Sequence, residues 1–193
     1  MKKQIRYPAN EQSGLFVVSQ GTAMMFAETC DGSSSRFMGR FNQGSLVGCV
    51  LYENWPSHLS LRTYSSSGDA GEVLKRTDPT RYAADFLYAA GFREARMFAA
   101  AAQLSAICHA DLHEGILYAV ALLNGEEGAK REGQILFGGH DIAQVVGSTR
   151  ETASREFKNI TSAGKLEKKE SKYFITEKGK AKLDLELLRT LIH

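Results

Sequence analysis

The residues best suited to chemistry stand in one short stretch, GSTRETASREFKN, at positions 147–159. On a helix, Glu151 and Arg155 are four residues apart and share one face, next to the row that Arg150 begins. An arginine can donate two hydrogen bonds to O6 and N7 of guanine, and a glutamate can accept one from N4 of cytosine. The stretch therefore has the residue types that read DNA bases.

Further polar residues of this helix fit the same partner. Arg150, Ser154 and Lys158 form a second outward row at four-residue spacing. Thr149 and Thr152 stand near the helix N-terminus, where the dipole and the free N–H groups favour phosphate. The alternative interpretation is an ordinary solvated helix face, which the spacing alone leaves open.

Two helices joined by a tight turn must position these residues. HDIAQVVG (140–147) and TRETASREFKNITSAG (149–164) each have helical spacing, with a Gly–Ser turn between them. A steep helix crossing needs a small residue such as Ala143, and Gly147 adopts the required turn conformation cheaply. The expected apolar side consists of Ile142, Val146, Ala153, Phe157 and Ile160.

The elements around this pair are also predictable. KLEKKESKYFITEKG (165–179) predicts two strands around a charged tip, and KAKLDLELLRTLIH (180–193) predicts a terminal helix. NGEEGAKREG (124–133) is a polar loop, and QILF (134–137) after it reads as a short strand.

The charge distribution supports a polyanionic partner. The 193 residues carry a net charge of +2, but residues 150–182 contain 10 Lys or Arg against 5 Asp or Glu. Composition is otherwise that of a globular protein, with 43% hydrophobic residues, and no apolar run is long enough to span a membrane. Three scattered cysteines fit a reducing cytoplasm better than a disulfide framework.

The N-terminal part reads as short antiparallel strands. Residues 14–64 contain apolar runs rich in β-branched residues, interrupted by turn signals such as Gly21. DPTRYAADFLYAAG (78–91) then predicts a helix that begins after Asp78 and stops at Gly91. An antiparallel sandwich or roll followed by helices makes the chain an α+β protein.

An alanine-rich helix, residues 92–110, follows. Met97, Ala101, Leu104 and Cys108 recur at spacings of four, three and four, which is typical of a helix–helix seam. The seam would lie between two chains of a dimer or, as the alternative, would face the core of one chain. Asp111 is expected to cap a new helix that begins near Leu112.

The quoted stretches resemble the CRP/FNR family of bacterial transcription regulators. VGSTRETASR (146–155) matches the family's recognition-helix pattern Val-Gly-x-x-x-Glu-Thr-x-x-Arg, and residues 140–176 resemble its winged helix-turn-helix. Weaker similarity extends back over a β-roll, the dimerisation helix and a hinge at Asp111. The resemblance implies a cyclic-nucleotide-binding-like β-roll with its helix over 1–110 and a DNA-binding domain over 111–193.

The resemblance assigns roles to individual residues. Glu151 and Arg155 would read base pairs, Arg150 matches an extra arginine of the CRP subgroup, and Ser154 matches a serine of the FNR subgroup. His140 and Thr152 would contact phosphates. The predicted DNA-binding set is His140, Thr149, Arg150, Glu151, Thr152, Ser154, Arg155, Lys158, Lys169 and Lys172, with Lys168 on or beside the wing.

The sequence departs from the family in its sensor. The β-roll is abbreviated, and Cys49 follows Gly48 where cAMP-responsive members have glutamate. Their Arg-Ser pair is also missing, although Arg62 is a possible substitute, so cAMP is not expected to bind. FNR's N-terminal cysteine cluster is absent, which argues against an iron–sulfur cluster.

Other sites are weaker hypotheses. His109 and His113 would form a metal-binding pair if one helix continued through both. Cys49 and His58 could ligate heme or respond to redox state, and no spacing identifies an effector site, a metal site or a catalytic set.

We expect a cytoplasmic, non-enzymatic homodimer that binds an inverted-repeat operator on double-stranded DNA. The resemblance adds RNA polymerase and a small-molecule effector as partners, without indicating activation or repression. Two alternatives remain: a ligand-independent regulator with a degenerate sensor, and a small-molecule-binding or metal-dependent β-barrel enzyme with a helical tail. The missing His/Glu cluster in residues 14–64 counts against the enzyme.

Overall fold

The computed structural model describes most of the chain. The residues described are 6–7, 15–28, 35–47, 59–64, 73–124, 138–169 and 172–192. Some expectations lie outside them: the QILF strand at 134–137, all but the first residue of the loop at 124–133, and the candidate heme or redox groups Cys49 and His58.

The N-terminal part forms two antiparallel sheets, as the alternating apolar runs predict. Strands β1 (Arg6–Tyr7), β6 (Leu59–Tyr64), β3 (Thr22–Glu28) and β4 (Ser35–Asn42) pair in that order. Strands β5 (Leu46–Val47), β2 (Leu15–Val18) and β7 (Leu74–Thr77) form the second sheet. Gly21 has a φ of 67° at the turn between β2 and β3, a conformation that glycine adopts without strain.

The two sheets share an apolar core. Val18 from β2 packs in one cluster with Met25 from β3, Phe41 from β4 and Leu61 from β6. All four side chains are buried. Strand β7, which contributes Leu74 to this cluster, was not predicted, because LKRT has a single apolar residue and no alternation to reveal it.

A long helix, α1 (Ala84–Ala110), follows the sheets. Asp78 does cap a helical turn, but that turn is a short 3₁₀ segment at Pro79–Arg81, and α1 begins three residues later. The predicted stop at Gly91 is wrong, because the helix continues through it. Gly91 is a buried residue in the interior of α1.

The C-terminal part is mainly helical. It contains α2 (Leu112–Asn124), α3 (Gly139–Val146), α4 (Arg150–Ser162), the hairpin β8 (Leu166–Lys169) and β9 (Lys172–Ile175), α5 (Glu177–Lys180) and α6 (Leu185–Leu191). Asp111 separates α1 from α2 and, as predicted, accepts hydrogen bonds from the backbone N–H groups of His113 and Glu114.

One apolar cluster joins this helical part to the first sheet. Phe26 and Phe37 of the sheet belong to the same buried cluster as Leu104 of α1, Ile116 of α2 and Ile142 of α3. A helix break lies at Asp111, and this core is continuous across it, so the division into domains over 1–110 and 111–193 stays a prediction. Among the described residues, no helix has both the length and the apolar character needed to cross a bilayer.

Candidate nucleic-acid interface

Helix α4 is held at its start by a tight turn and a side-chain cap. Gly147 has a φ of 68°, the left-handed conformation that favours glycine, and it ends α3. Thr149 then caps α4, since its Oγ1 accepts a hydrogen bond from the backbone N–H of Thr152 at 3.2 Å. These local contacts fix where the first turn of α4 begins.

The apolar side of the helix pair is as predicted. Ile142 and Val146 of α3 and Ala153 and Ile160 of α4 are buried, and Phe157 packs partly against the same cluster. Buried residues on one side of α4 force the polar residues to the other.

Four of the predicted DNA-binding residues of α4 are exposed. Arg150, Glu151, Arg155 and Lys158 all face outward. The Arg155 side chain is 71% exposed. Ser154 differs from its predicted outward position, because it is half-buried against the start of α3, where a Cβ on Gly139 would collide with its Oγ. The first two turns of α4 thus present two arginines and a glutamate to solvent.

The predicted phosphate-contacting residues lie around the same end of α4. Thr149 donates to Thr152 Oγ1 at 3.0 Å, so both hydroxyls already take part in the cap. His140 is exposed at the start of α3, and its Nε2 lies 2.9 Å from Nε2 of Gln144.

The β8–β9 hairpin adds positive charge beside α4. Phe157 of α4 contacts the ring of Tyr173 edge-to-face, with 4.6 Å between ring centroids, which attaches the hairpin to the helix. Lys168 lies over the Tyr173 ring, and Lys169 pairs with Glu167 at 2.7 Å. The side chain of Lys172, a predicted DNA-binding residue, lies outside the described ones.

One participant in this surface was not predicted. Glu156 accepts hydrogen bonds from Arg155 Nε at 3.0 Å and from Asn159 Nδ2 at 3.0 Å, and it pairs with His113 Nε2 at 2.7 Å. These contacts, above all the one with His113, lower the pKa of Glu156 to about 2. Sequence offers no signal for the His113 contact, because 43 positions separate the two residues.

The helix break at Asp111 corrects the hypothesis of a histidine metal pair. Asp111 breaks the helix between His109 and His113, so the two do not sit one turn apart on a single helix. Among the described residues, no three His, Cys, Asp or Glu side chains form a cluster that could hold a metal ion.

The predicted dimer seam is part of the chain's own core. Met97, Ala101, Leu104 and Cys108 are at most 8% exposed, and Met97 packs directly on Gly39 of β4. Burial raises the pKa of the Cys108 thiol to about 11. The prediction that these four side chains meet a second chain was wrong. They form the core-facing stripe that was the alternative, and a core-facing stripe has the same heptad-like spacing.

Two buried arginines connect the first sheet to the helical part. Arg40 of β4 donates to the carbonyl oxygens of Leu122 and Leu123 at the end of α2, at 2.6 and 3.2 Å. Arg62 of β6 pairs with Glu28 at 3.1 Å, donates to Gln144 of α3 and lies over the Phe26 ring. Arg62 is therefore already neutralised, which weighs against its use as a substitute for a cyclic-phosphate ligand.

A cavity of about 310 Å³ lies between β4, the end of α1 and the turn before α4. Its wall includes Arg36, Ser105, Cys108 and Ser148. Arg36 donates to Ser105 across it. Thr152, in the first turn of α4, also lines this cavity.

The fold is similar to solved structures of CRP/FNR-family transcriptional regulators. The c-di-GMP-responsive global regulator CLP of Xanthomonas campestris superposes with a TM-score of 0.62 at 20% identity, over 90% of this chain and 93% of that one. A CRP-family regulator of Thermus thermophilus gives 0.62 at 18% identity, over 98% and 93%. A CRP/FNR-family regulator of the same organism gives 0.64 at 17% identity, over 98% and 94%.

At these identities the similarity establishes the fold. No protein-family model matches the sequence, and no curated protein matches it either.

Proposed function

We propose that this chain, which has the fold of CRP/FNR transcriptional regulators, binds double-stranded DNA as a sequence-specific regulator. The observation that carries the proposal is the division of α4 into two faces. Ala153 and Ile160 are buried against the rest of the protein, whereas Arg150, Glu151 and Arg155 point into solvent. In helix-turn-helix proteins the N-terminal turns of the second helix enter the major groove. These three residues lie on the N-terminal turns of α4.

In this proposal α3 and α4 are the helix-turn-helix and β8–β9 is its wing. Arg155 takes a guanine, and Glu151 takes a cytosine on the opposite strand. Arg150 adds a second guanine contact, and the half-buried Ser154 has a smaller role. Contacts to phosphates come from His140, Thr149, Thr152, Lys158, Lys169 and Lys172.

The proposal includes a homodimer formed by the outer face of α1. Six residues on that face are exposed and follow spacings of four, three, four, three and four: Tyr88, Phe92, Ala95, Ala99, Ala102 and Ala106. Tyr88 and Phe92 are 71% and 59% exposed, which is unusual for large aromatic residues without a partner. A second copy of the same stripe is a suitable cover, because an antiparallel or parallel helix pair needs this seven-residue repeat.

The two N-terminal sheets would form the sensor, a β-roll, whose effector differs from cAMP. The missing glutamate at Cys49 supports this, as does the engagement of Arg62 by Glu28 and Gln144. An effector would act by shifting the packing between the sheet, α1 and the Asp111 hinge, so that two recognition helices come into register. A regulator that needs no effector is the alternative within this class, and RNA polymerase is the partner that the fold suggests for either.

A competition mobility-shift assay tests the proposal. The full-length protein is titrated against fragments of its own genome in excess random-sequence DNA. We expect a few discrete fragments to be retarded at protein concentrations that leave the competitor free. Uniform retardation of every fragment, or none, would contradict sequence-specific binding.

A further inference from the structure

Glu156 is the residue of α4 that best combines burial with charge. Its side chain is 18% exposed, whereas the neighbouring Arg155 is 71% exposed. The Glu156 carboxylate lies against the first turn of α2, where Oε2 is 2.7 Å from His113 Nε2 and 3.0 Å from Asn159 Nδ2. Its other oxygen, Oε1, is 3.0 Å from Nε of Arg155. Each oxygen of this carboxylate therefore has a defined partner.

The contact with Nε determines which atoms of Arg155 remain available. Within the part of the chain that the structure describes, Glu156 is the group bonded to this guanidinium, and it occupies Nε alone. The two terminal nitrogens stay free to point outward. Two parallel N–H donors are what the O6 and N7 acceptors of guanine require.

We propose that Glu156, held in place by His113 and Asn159, is a positioning residue for Arg155 and thereby sets the guanine preference of this helix. The inference rests on the proposed function, because it assumes that Arg155 reads a base. Glu156 itself touches no base. It fixes the rotation of the guanidinium so that the terminal nitrogens meet a base edge end-on.

Electrostatics agrees with this geometry. A carboxylate close to DNA repels phosphates, which is unfavourable unless cations surround it. The donors around Glu156 stabilise its charged form and hold its pKa at about 2, so the carboxylate keeps its charge and its acceptor oxygens at neutral pH. A long arginine side chain held at one end also loses less conformational freedom when it binds a base.

The position of His113 extends the inference to the junction between α1 and α2 at Asp111. His113 belongs to the first turn of α2, and its backbone N–H is bound by the capping side chain of Asp111. The carboxylate that orients Arg155 is thus attached to the junction between α1 and α2. A movement of that junction relative to α4 would break the 2.7 Å contact and release Arg155 from its orientation.

The test compares base discrimination among variants of the full-length protein. Fluorescence anisotropy measures Kd for the best selected duplex, for the same duplex with the proposed guanine pair replaced, and for random DNA. The variants are Glu156→Ala, Glu156→Gln and His113→Ala. Arg155→Ala is the control for base reading, and Glu177→Ala removes a carboxylate of α5 that is 89% exposed and pairs with Lys180 rather than with α4.

We expect Glu156→Ala to lower the discrimination at that base pair by about tenfold, close to the effect of Arg155→Ala. Its affinity for random DNA should be unchanged or higher, because a negative charge has been removed. Glu156→Gln keeps an oxygen that accepts from Nε and should retain most of the discrimination. The discrimination of His113→Ala should lie between those of Glu156→Ala and Glu156→Gln. Glu177→Ala should discriminate like the wild type.

Two results would overturn the inference while leaving the proposed function intact. One is full discrimination by Glu156→Ala beside its loss in Arg155→Ala. The other is stronger discrimination by Glu156→Ala, which would mean that Glu156 withholds Arg155 from the base. If the wild type and Arg155→Ala discriminate equally, the base-reading role fails and the inference fails with it. Circular dichroism melts of each variant separate these outcomes from misfolding.

Discussion

Arg155 and Glu156 carry opposite charges in opposite surroundings, and the surroundings decide what each can do. Arg155 extends into solvent, where a groove-binding side chain must be. Glu156 is turned toward His113 and is bonded to three donors. These donors balance the charge of Glu156, whereas the carboxylate of Glu151 stays exposed on the outer side of α4.

The pairing of Glu156 predicts a dependence of stability on pH. Because the pKa of Glu156 is lowered in the folded state, ionised Glu156 stabilises the fold. This stabilisation is complete above pH 4.5, the ordinary pKa of glutamate, and is lost as the pH falls through about 2. Wild type should exceed Glu156→Gln in free energy of unfolding at pH 6, and by less at pH 3. Urea titrations measure both gaps. A gap that stays constant between the two pH values, or one matched by the control Glu177→Gln, would contradict the pairing.

Residue roles were partly predictable from the sequence. Helical spacing is enough to group Glu151 with Arg155, because both lie on one element. It places Ser154 on the same outward surface, but the close approach of Gly139 buries it halfway. The bond from Glu156 to His113 depends on how α2 and α4 pack, and no local pattern contains that information.

At the scale of elements, α1 has two faces with different surroundings. Its inner stripe, which includes Leu104, packs in the chain's own core, and its outer stripe of aromatic and alanine residues has no cover in one chain among the described residues. Both stripes obey the same seven-residue repeat, displaced along the helix by two residues. Spacing alone therefore could not tell which stripe faces the core and which stays exposed.

A charge on the outer stripe should separate the proposed dimer. Ala99→Glu would bring two like charges together across a symmetric interface, so we expect a folded monomer by analytical ultracentrifugation. Ala99→Ser is the conservative control and should remain dimeric. Leu104→Glu should instead reduce folding, because Leu104 is 2% exposed within one chain. A dimeric Ala99→Glu protein would place the interface elsewhere.

The β8–β9 hairpin is expected to contact phosphates without reading bases. Replacing Lys169 and Lys172 with alanine should weaken binding to specific and random DNA by similar factors. The slope of log K against log salt should fall by about 0.9 for each lost phosphate contact. Alanine at Lys75 and Arg76, two exposed cations of β7 on the second sheet, is the matched control. An unchanged slope in the hairpin variant would place these lysines away from the backbone.

At the scale of the whole molecule, the sheets and the helix pair form one connected body. Arg40 binds the last carbonyls of α2, and Arg62 reaches Gln144 of α3. The order of antiparallel strands, helices and helix pair was predictable, because each has its own periodicity, although one long helix stands where two were predicted. The contacts between them were not, since an arginine in a strand gives no sign of the carbonyl it will bind.

The central claim is that α4 reads DNA for a symmetric dimer, and in vitro selection from random duplexes tests it most directly. Wild type and Arg155→Ala are selected side by side. Wild type should recover an inverted repeat with half-site centres roughly 34 Å apart and a G·C pair near the centre of each half-site. Arg155→Ala should lose that preference, at a cost of about 1–3 kcal/mol per half-site. An unsymmetric site, or the same base preference from both proteins, would contradict the account.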